Sequence, residues 1–123
     1  MPKKTFECAE QASAIFLTQV KNNQKTLCSQ IKHGCSIQEC HERLKTDWEK
    51  HHGRLEKRLY ESFHSLPMLE KWEDEWGFVR QVIRVTRNRE RLNTQENASQ
   101  QVSYYVCNRF LPIDILEKTI RGH

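Results

Sequence analysis

The chain has 123 residues, with 20 Lys+Arg against 16 Asp+Glu, six His, five Cys and 37% hydrophobic residues. That length suits one small domain with a modest core, and no stretch approaches the roughly 20 apolar residues of a membrane span or the apolar core of a signal peptide. A cytoplasmic protein with no membrane partner is expected, and an odd number of cysteines without a secretion signal fits reduced thiols, so no disulfide is assigned.

From the N-terminus, Thr5 as a cap, Glu7 in the first turn and Phe6, Ala9 and Phe16 at helical spacing predict a helix over residues 5–14. The strand-forming run Ile15 to Lys21 follows, stopped by Asn22-Asn23. A second helix is expected over 24–33, with Leu27 and Ile31 on one face and Gly34 as its end. Ser36 and Glu39 match a capping box for a third helix reaching about Lys50, with Ile37, Leu44 and Trp48 along its stripe.

Beyond Gly53 the period becomes alternating. Leu55, Leu59 and Phe63 predict a half-buried antiparallel strand through Ser62, and Leu69, Trp72 and Trp76 a short helix after Pro67. A second strand is expected over 78–87, with Val79, Ile83 and Val85 on one face and Arg80 and Arg84 on the other, followed by a polar loop over 88–100 and a third strand over 102–107. Pro112 suits the first turn of a last helix whose buried stripe is Ile113, Leu116 and Ile120, and the closing Ile-Arg-Gly-His reads as a helix that has been cut.

The net charge of +4 is local: Phe78 to Arg91 contains Arg80, Arg84, Arg87, Arg89 and Arg91 against Glu90 alone, and the remaining charges cancel. Such a stripe is the footprint of a polyanion, and these five arginines are the candidate DNA-binding residues. Other chemistry-bearing groups are weaker. Cys28, His33, Cys35, Cys40 and His41 lack a C-x2-C knuckle, so they read as thiols and imidazoles without zinc. The His51-His52-Gly53-Arg54 run could touch phosphate, but reads more simply as a helix end closed by Gly53. The neighbours Glu73, Asp74 and Glu75 diverge around a helix, and Trp72 and Trp76 read as core or interface anchors.

Several runs in order then carry a resemblance. Lys3-Lys4-Thr5 leading to Val20-Lys21-Asn22-Asn23-Gln24, His52-Gly53-Arg54-Leu55-Glu56-Lys57-Arg58, Trp76-Gly77-Phe78 before Ile83-Arg84-Val85, Tyr104-Tyr105 and Ile120-Arg121-Gly122-His123 resemble the DDE transposases of bacterial insertion sequences, and more narrowly their H-repeat-associated branch. The resemblance implies a ribonuclease H-like core in which two Asp and one Glu hold divalent metal, interrupted by an inserted β region. It places both Asp before Met1 and the Glu beyond His123, so no catalytic residue and no metal ligand carries over. His52, Arg54, Arg121 and His123 carry over only as family-motif positions.

The expected fold class is α/β, or an α+β fragment: a partial ribonuclease H-like core with an inserted antiparallel β region and flanking helices. Residues 1–23 would close the core, 24–111 form the insertion and 112–123 begin the last core helix. The expected function is that of a truncated transposase remnant, catalytically silent, with weak non-specific DNA binding. Magnesium belongs to the complete parent enzyme and no cofactor to this chain. The rival is a domesticated interaction protein that binds or inhibits a full-length transposase, with Trp72 and Trp76 as its anchors.

Overall fold

A computed structural model of the chain describes residues 14–21, 25–51, 53–64, 78–91 and 99–122. In chain order these form strand β1 (Leu17–Gln19), helix α1 (Lys25–Ile37), strands β2 (Glu42–Lys45), β3 (Glu49–His51), β4 (Arg54–His64), β5 (Gln81–Arg91) and β6 (Ser99–Cys107), and helix α2 (Ile113–Arg121). The fold is mixed α+β. One sheet runs β1-β6-β5-β4-β2, with β3 also on β4, and every described pairing is antiparallel. Strands from the expected segments 1–23 and 24–111 share it, and 112–123 supplies a helix.

Among the described residues, each face of the sheet carries one helix. On the first, Leu27, Cys28, Ile31 and Cys35 of α1 pack with Phe63, Val82 and Val106. On the second, Ile113, Leu116 and Ile120 of α2 pack with Tyr60, Ile83, Val85 and Tyr105. Strand alternation explains the division, since neighbouring residues of a strand face opposite ways. Phe63 opposite Val82 meets α1, and Tyr60 opposite Val85 meets α2. With both faces covered, β4 and β5 read as apolar at consecutive positions near one end and as charged rungs near the other.

The β4-β5-β6 meander and the last helix follow the alternation and the Ile113, Leu116, Ile120 stripe, and the paired strands are longer than their apolar runs. Four expectations need correction. First, α1 passes through Gly34 to Ile37, because continuing one more turn buries Gly34 and Cys35 in line with Leu27 and Ile31. That burial outweighs the roughly 1 kcal/mol cost of an interior glycine. The Ser36 hydroxyl, expected to cap a new helix, donates back to the His33 carbonyl at 2.6 Å.

Second, the helix expected over 36–50 is two edge strands. The long β4 presents a row of backbone groups, and the segment after α1 satisfies them: His41 N–H donates to Ser62 O at 2.7 Å and Thr46 N–H to Arg58 O at 2.9 Å. Ile37 and Trp48, expected on a buried stripe, are exposed. Third, Gly53 closes no helix. It lies between β3 and β4, which pair as far as His51 and Arg54, and has φ 78°. Fourth, β5 continues to Arg91, so Arg87, Arg89 and Arg91 belong to the strand and not to a loop, while Val79 precedes it and joins the α1 cluster instead of sharing a face with Ile83 and Val85.

The expected helix over 5–14, the Trp72 and Trp76 helix, the Glu73-Asp74-Glu75 run, and His52 and His123 lie outside the described residues. Among the described residues no helix is long and apolar enough to cross a membrane.

Candidate functional site

The strand parity that builds the core also divides the arginine stripe. Arg84 lies on the α1 face, where it is bound to Glu61: Nε donates to Oε1 at 3.0 Å and a terminal nitrogen approaches the same oxygen at 2.9 Å. Its other terminal nitrogen reaches the Cys35 carbonyl at 3.4 Å, and its carbon sits 5.2 Å from the centre of the Phe63 ring. Burial opposes the charge on Arg84, but the bond and charge of Glu61 hold the proton more tightly than usual. Arg84 is therefore a tie between helix and sheet. Beside it, burial outweighs the lowering effect of Arg84 and pushes the Cys35 thiol up to about 12, which leaves it unreactive.

Arg87 and Arg89 lie on the opposite face, at the end of the sheet away from the apolar core, and Arg91 shares their parity along β5. The β4-β5 register sets Arg58 against Arg87, Glu56 against Arg89 and Arg54 against Arg91. Two like-charge rungs thus flank a single oppositely charged one. Directly opposed side chains have Cβ atoms about 5 Å apart, and like charges there destabilise the sheet.

Glu56 is the only carboxylate within these three rungs. Arg58 Nε donates to its Oε1 at 2.7 Å and Arg89 Nε to its Oε2 at 3.2 Å. Burial works against its charge, yet these arginines together outweigh that effect and hold the carboxyl below the ordinary glutamate range. Arg58 also donates to the Tyr60 hydroxyl at 3.2 Å. The buried Arg87 Nε has no hydrogen-bond partner, and Arg54 is exposed with no ion pair among the described residues.

Helix α2 brings Arg121 to the same end of this face, where it pairs with Glu49 of β3 and, at 3.3 Å, with Glu117 one turn back. Arg80 stands just before β5, exposed, with its backbone N–H on the Cys107 carbonyl at 2.9 Å. Of the sequence candidates, the sheet therefore groups Arg54, Arg87, Arg89, Arg91 and Arg121, and separates Arg80 and Arg84 from them. Arg58 and Glu56 were not singled out from the sequence. The even spacing of 54, 56 and 58 in an alternating strand was the available sign.

Cys28, Cys35 and Cys107 are buried, Cys40 is half-buried, and all four are free. Among the described residues no group of three or more His, Cys, Asp or Glu side chains is placed to hold a metal ion. Comparisons with family models, with curated proteins and with solved structures find no match to this chain.

Proposed function

We propose that this chain binds nucleic acid through the phosphate backbone, using the arginine face formed by Arg54, Arg58, Arg87, Arg89 and Arg91. The single observation that carries the reading is the pair of Arg-Arg rungs at Arg58-Arg87 and Arg54-Arg91, with Glu56 as the sole carboxylate between them. At the Arg58-Arg87 rung the opposed guanidiniums repel each other in the free protein and are relieved when an anion bridges them, and planar guanidinium donors suit phosphate oxygens. Among the described residues the arginine face is built from paired strands, so contacts that position the backbone without reading sequence follow.

The ordered sequence runs favour descent of this surface from a DDE transposase of the ribonuclease H-like type. In that relationship the chain is a DNA-holding piece with no strand-cutting activity of its own, because the metal-holding Asp and Glu carry over to none of its residues. The test is fluorescence anisotropy with two labelled duplexes of unrelated sequence. Both should bind alike, and Arg87→Ala/Arg89→Ala should weaken both by the same factor. Sequence preference, or unchanged binding by the double variant, would sink the reading. In parallel, magnesium or manganese should produce no cleavage; cutting abolished by Asp47→Asn or Asp114→Asn would overturn the silent assignment.

A further inference from the structure

The β2-β3 edge contains an irregularity that the arginine face does not use. Lys45 pairs with Leu59 and Glu49 with Glu56, so residues 46–48 stand opposite residues 57–58, one more on the edge strand than on its partner. This is a β-bulge, a device that bends an edge and re-aims a side chain. It is locked rather than loose: Thr46 N–H donates to the Arg58 carbonyl at 2.9 Å, and Arg58 N–H donates to the Thr46 hydroxyl at 2.8 Å. The bulge turns out Trp48, which is 42% exposed, with the Lys57 ammonium 4.8 Å from its ring centre.

Trp48 borders a cavity of about 440 Å³ whose other walls include Lys45, Asp47, Lys57, Leu59 and Asn88. That volume is in the range that takes a nucleotide-sized ligand. The lining also matches one chemically. An exposed indole and the Leu59 side chain offer an aromatic plane two apolar surfaces, two lysines flank it with positive charge, and Asp47 and Asn88 supply acceptors and a donor for ring nitrogens and exocyclic groups.

We propose that this pocket holds one nucleotide of a single strand, the base against Trp48 and its phosphate between Lys45 and Lys57. The proposal rests on the reading that the chain binds nucleic acid, and adds that the preferred form is unpaired. Lys57, Leu59 and Asn88 lie on the sheet face opposite the arginine rungs, and Arg58 meets the bulge through its strand backbone, so the pocket is a second surface separated from the arginine face by the sheet.

The test uses the full chain, a labelled oligodeoxythymidine, a duplex of equal length and free thymidine monophosphate. The parent should bind the strand more tightly than the duplex, and the strand more tightly than the monophosphate. Trp48→Ala should weaken strand binding by about tenfold or more, the range for losing a base-aromatic stack, and leave duplex binding within twofold. Trp48→Phe should restore most of the loss, and Lys45→Ala/Lys57→Ala should weaken the strand as well. Far-UV circular dichroism checks that the exposed substitutions leave the sheet intact.

Strand binding unchanged by Trp48→Ala, with duplex binding intact, overturns this proposal alone. Equal affinity for strand and monophosphate overturns it too, since the site would then take a free nucleotide and gain nothing from a strand. Trp48-dependent strand binding without any duplex binding supports the pocket and sinks the arginine-face reading instead.

Discussion

Glu56 decides how the arginine face behaves at the scale of single residues. It accepts from Arg58 and Arg89 and separates the two like-charge rungs, so Glu56→Gln should cost about 2 kcal/mol of stability, the worth of hydrogen bonds to a charged group. The same substitution removes the carboxylate that competes with phosphate, so DNA affinity should rise as stability falls. A denaturant melt and an anisotropy titration on one preparation check both directions. The acid response follows from the lowered pKa. A carboxyl held below its unfolded value contributes stability above the ordinary glutamate range, and that contribution is lost as pH falls through the folded value. The parent should therefore lose stability in acid more steeply than Glu56→Gln does. Asn108 is a second decisive side chain. Fully buried, it accepts from Phe16 N–H at 2.8 Å and donates to the Ala14 carbonyl at 2.8 Å, pinning the entry of β1 to the exit of β6. Asn108→Ala leaves those backbone groups unpaired and should lower the unfolding free energy by about 2–3 kcal/mol.

At the scale of elements, the β3-β4 hairpin depends on Gly53. With φ 78° and nothing within 4 Å of an added Cβ, Gly53→Ala meets no clash and should cost only the left-handed backbone strain, about 1 kcal/mol, whereas Gly53→Asn should cost less. Thermal melts of the pair separate conformational strain from packing. The hairpin also shows why some elements were legible in the sequence and others were not. The last helix was readable because Ile113, Leu116 and Ile120 repeat with one period and Pro112 marks the start. The 36–50 segment was not, because its capping box and apolar spacing argue locally for a helix while the open backbone edge of β4 offers a long-range alternative. Propensity cannot weigh a partner that lies beyond Gly53 in sequence. The bulge that aims Trp48 was hidden for the same reason, since it exists only as a mismatch between two paired strands.

At the scale of the whole molecule, the chain runs from an edge strand, through α1 over one face, to the opposite edge at β2 and β3, and returns through the β4-β5-β6 meander to lie beside β1 before α2 covers the other face. This layout keeps one end of the sheet apolar under two helices and leaves the other end charged. The arginine stripe was legible as charge, but its division was not: counting residues shows five arginines, whereas pairing assigns Arg84 to Glu61 and leaves Arg87, Arg89 and Arg91 with Arg54 and Arg58. The most direct measurement is the salt dependence of duplex affinity for the parent, for Arg87→Ala/Arg89→Ala, and for Lys25→Ala/Lys32→Ala, which removes equal charge from exposed positions on α1. Each phosphate contact contributes about 0.9 to the slope of log affinity against log salt. The arginine double variant should flatten the slope by about 1–2, and the lysine double variant should leave it at the parental value. Equal flattening by both variants would mean that overall charge alone attracts the duplex, and would contradict an interface built on the Arg58-Arg87 and Arg54-Arg91 rungs.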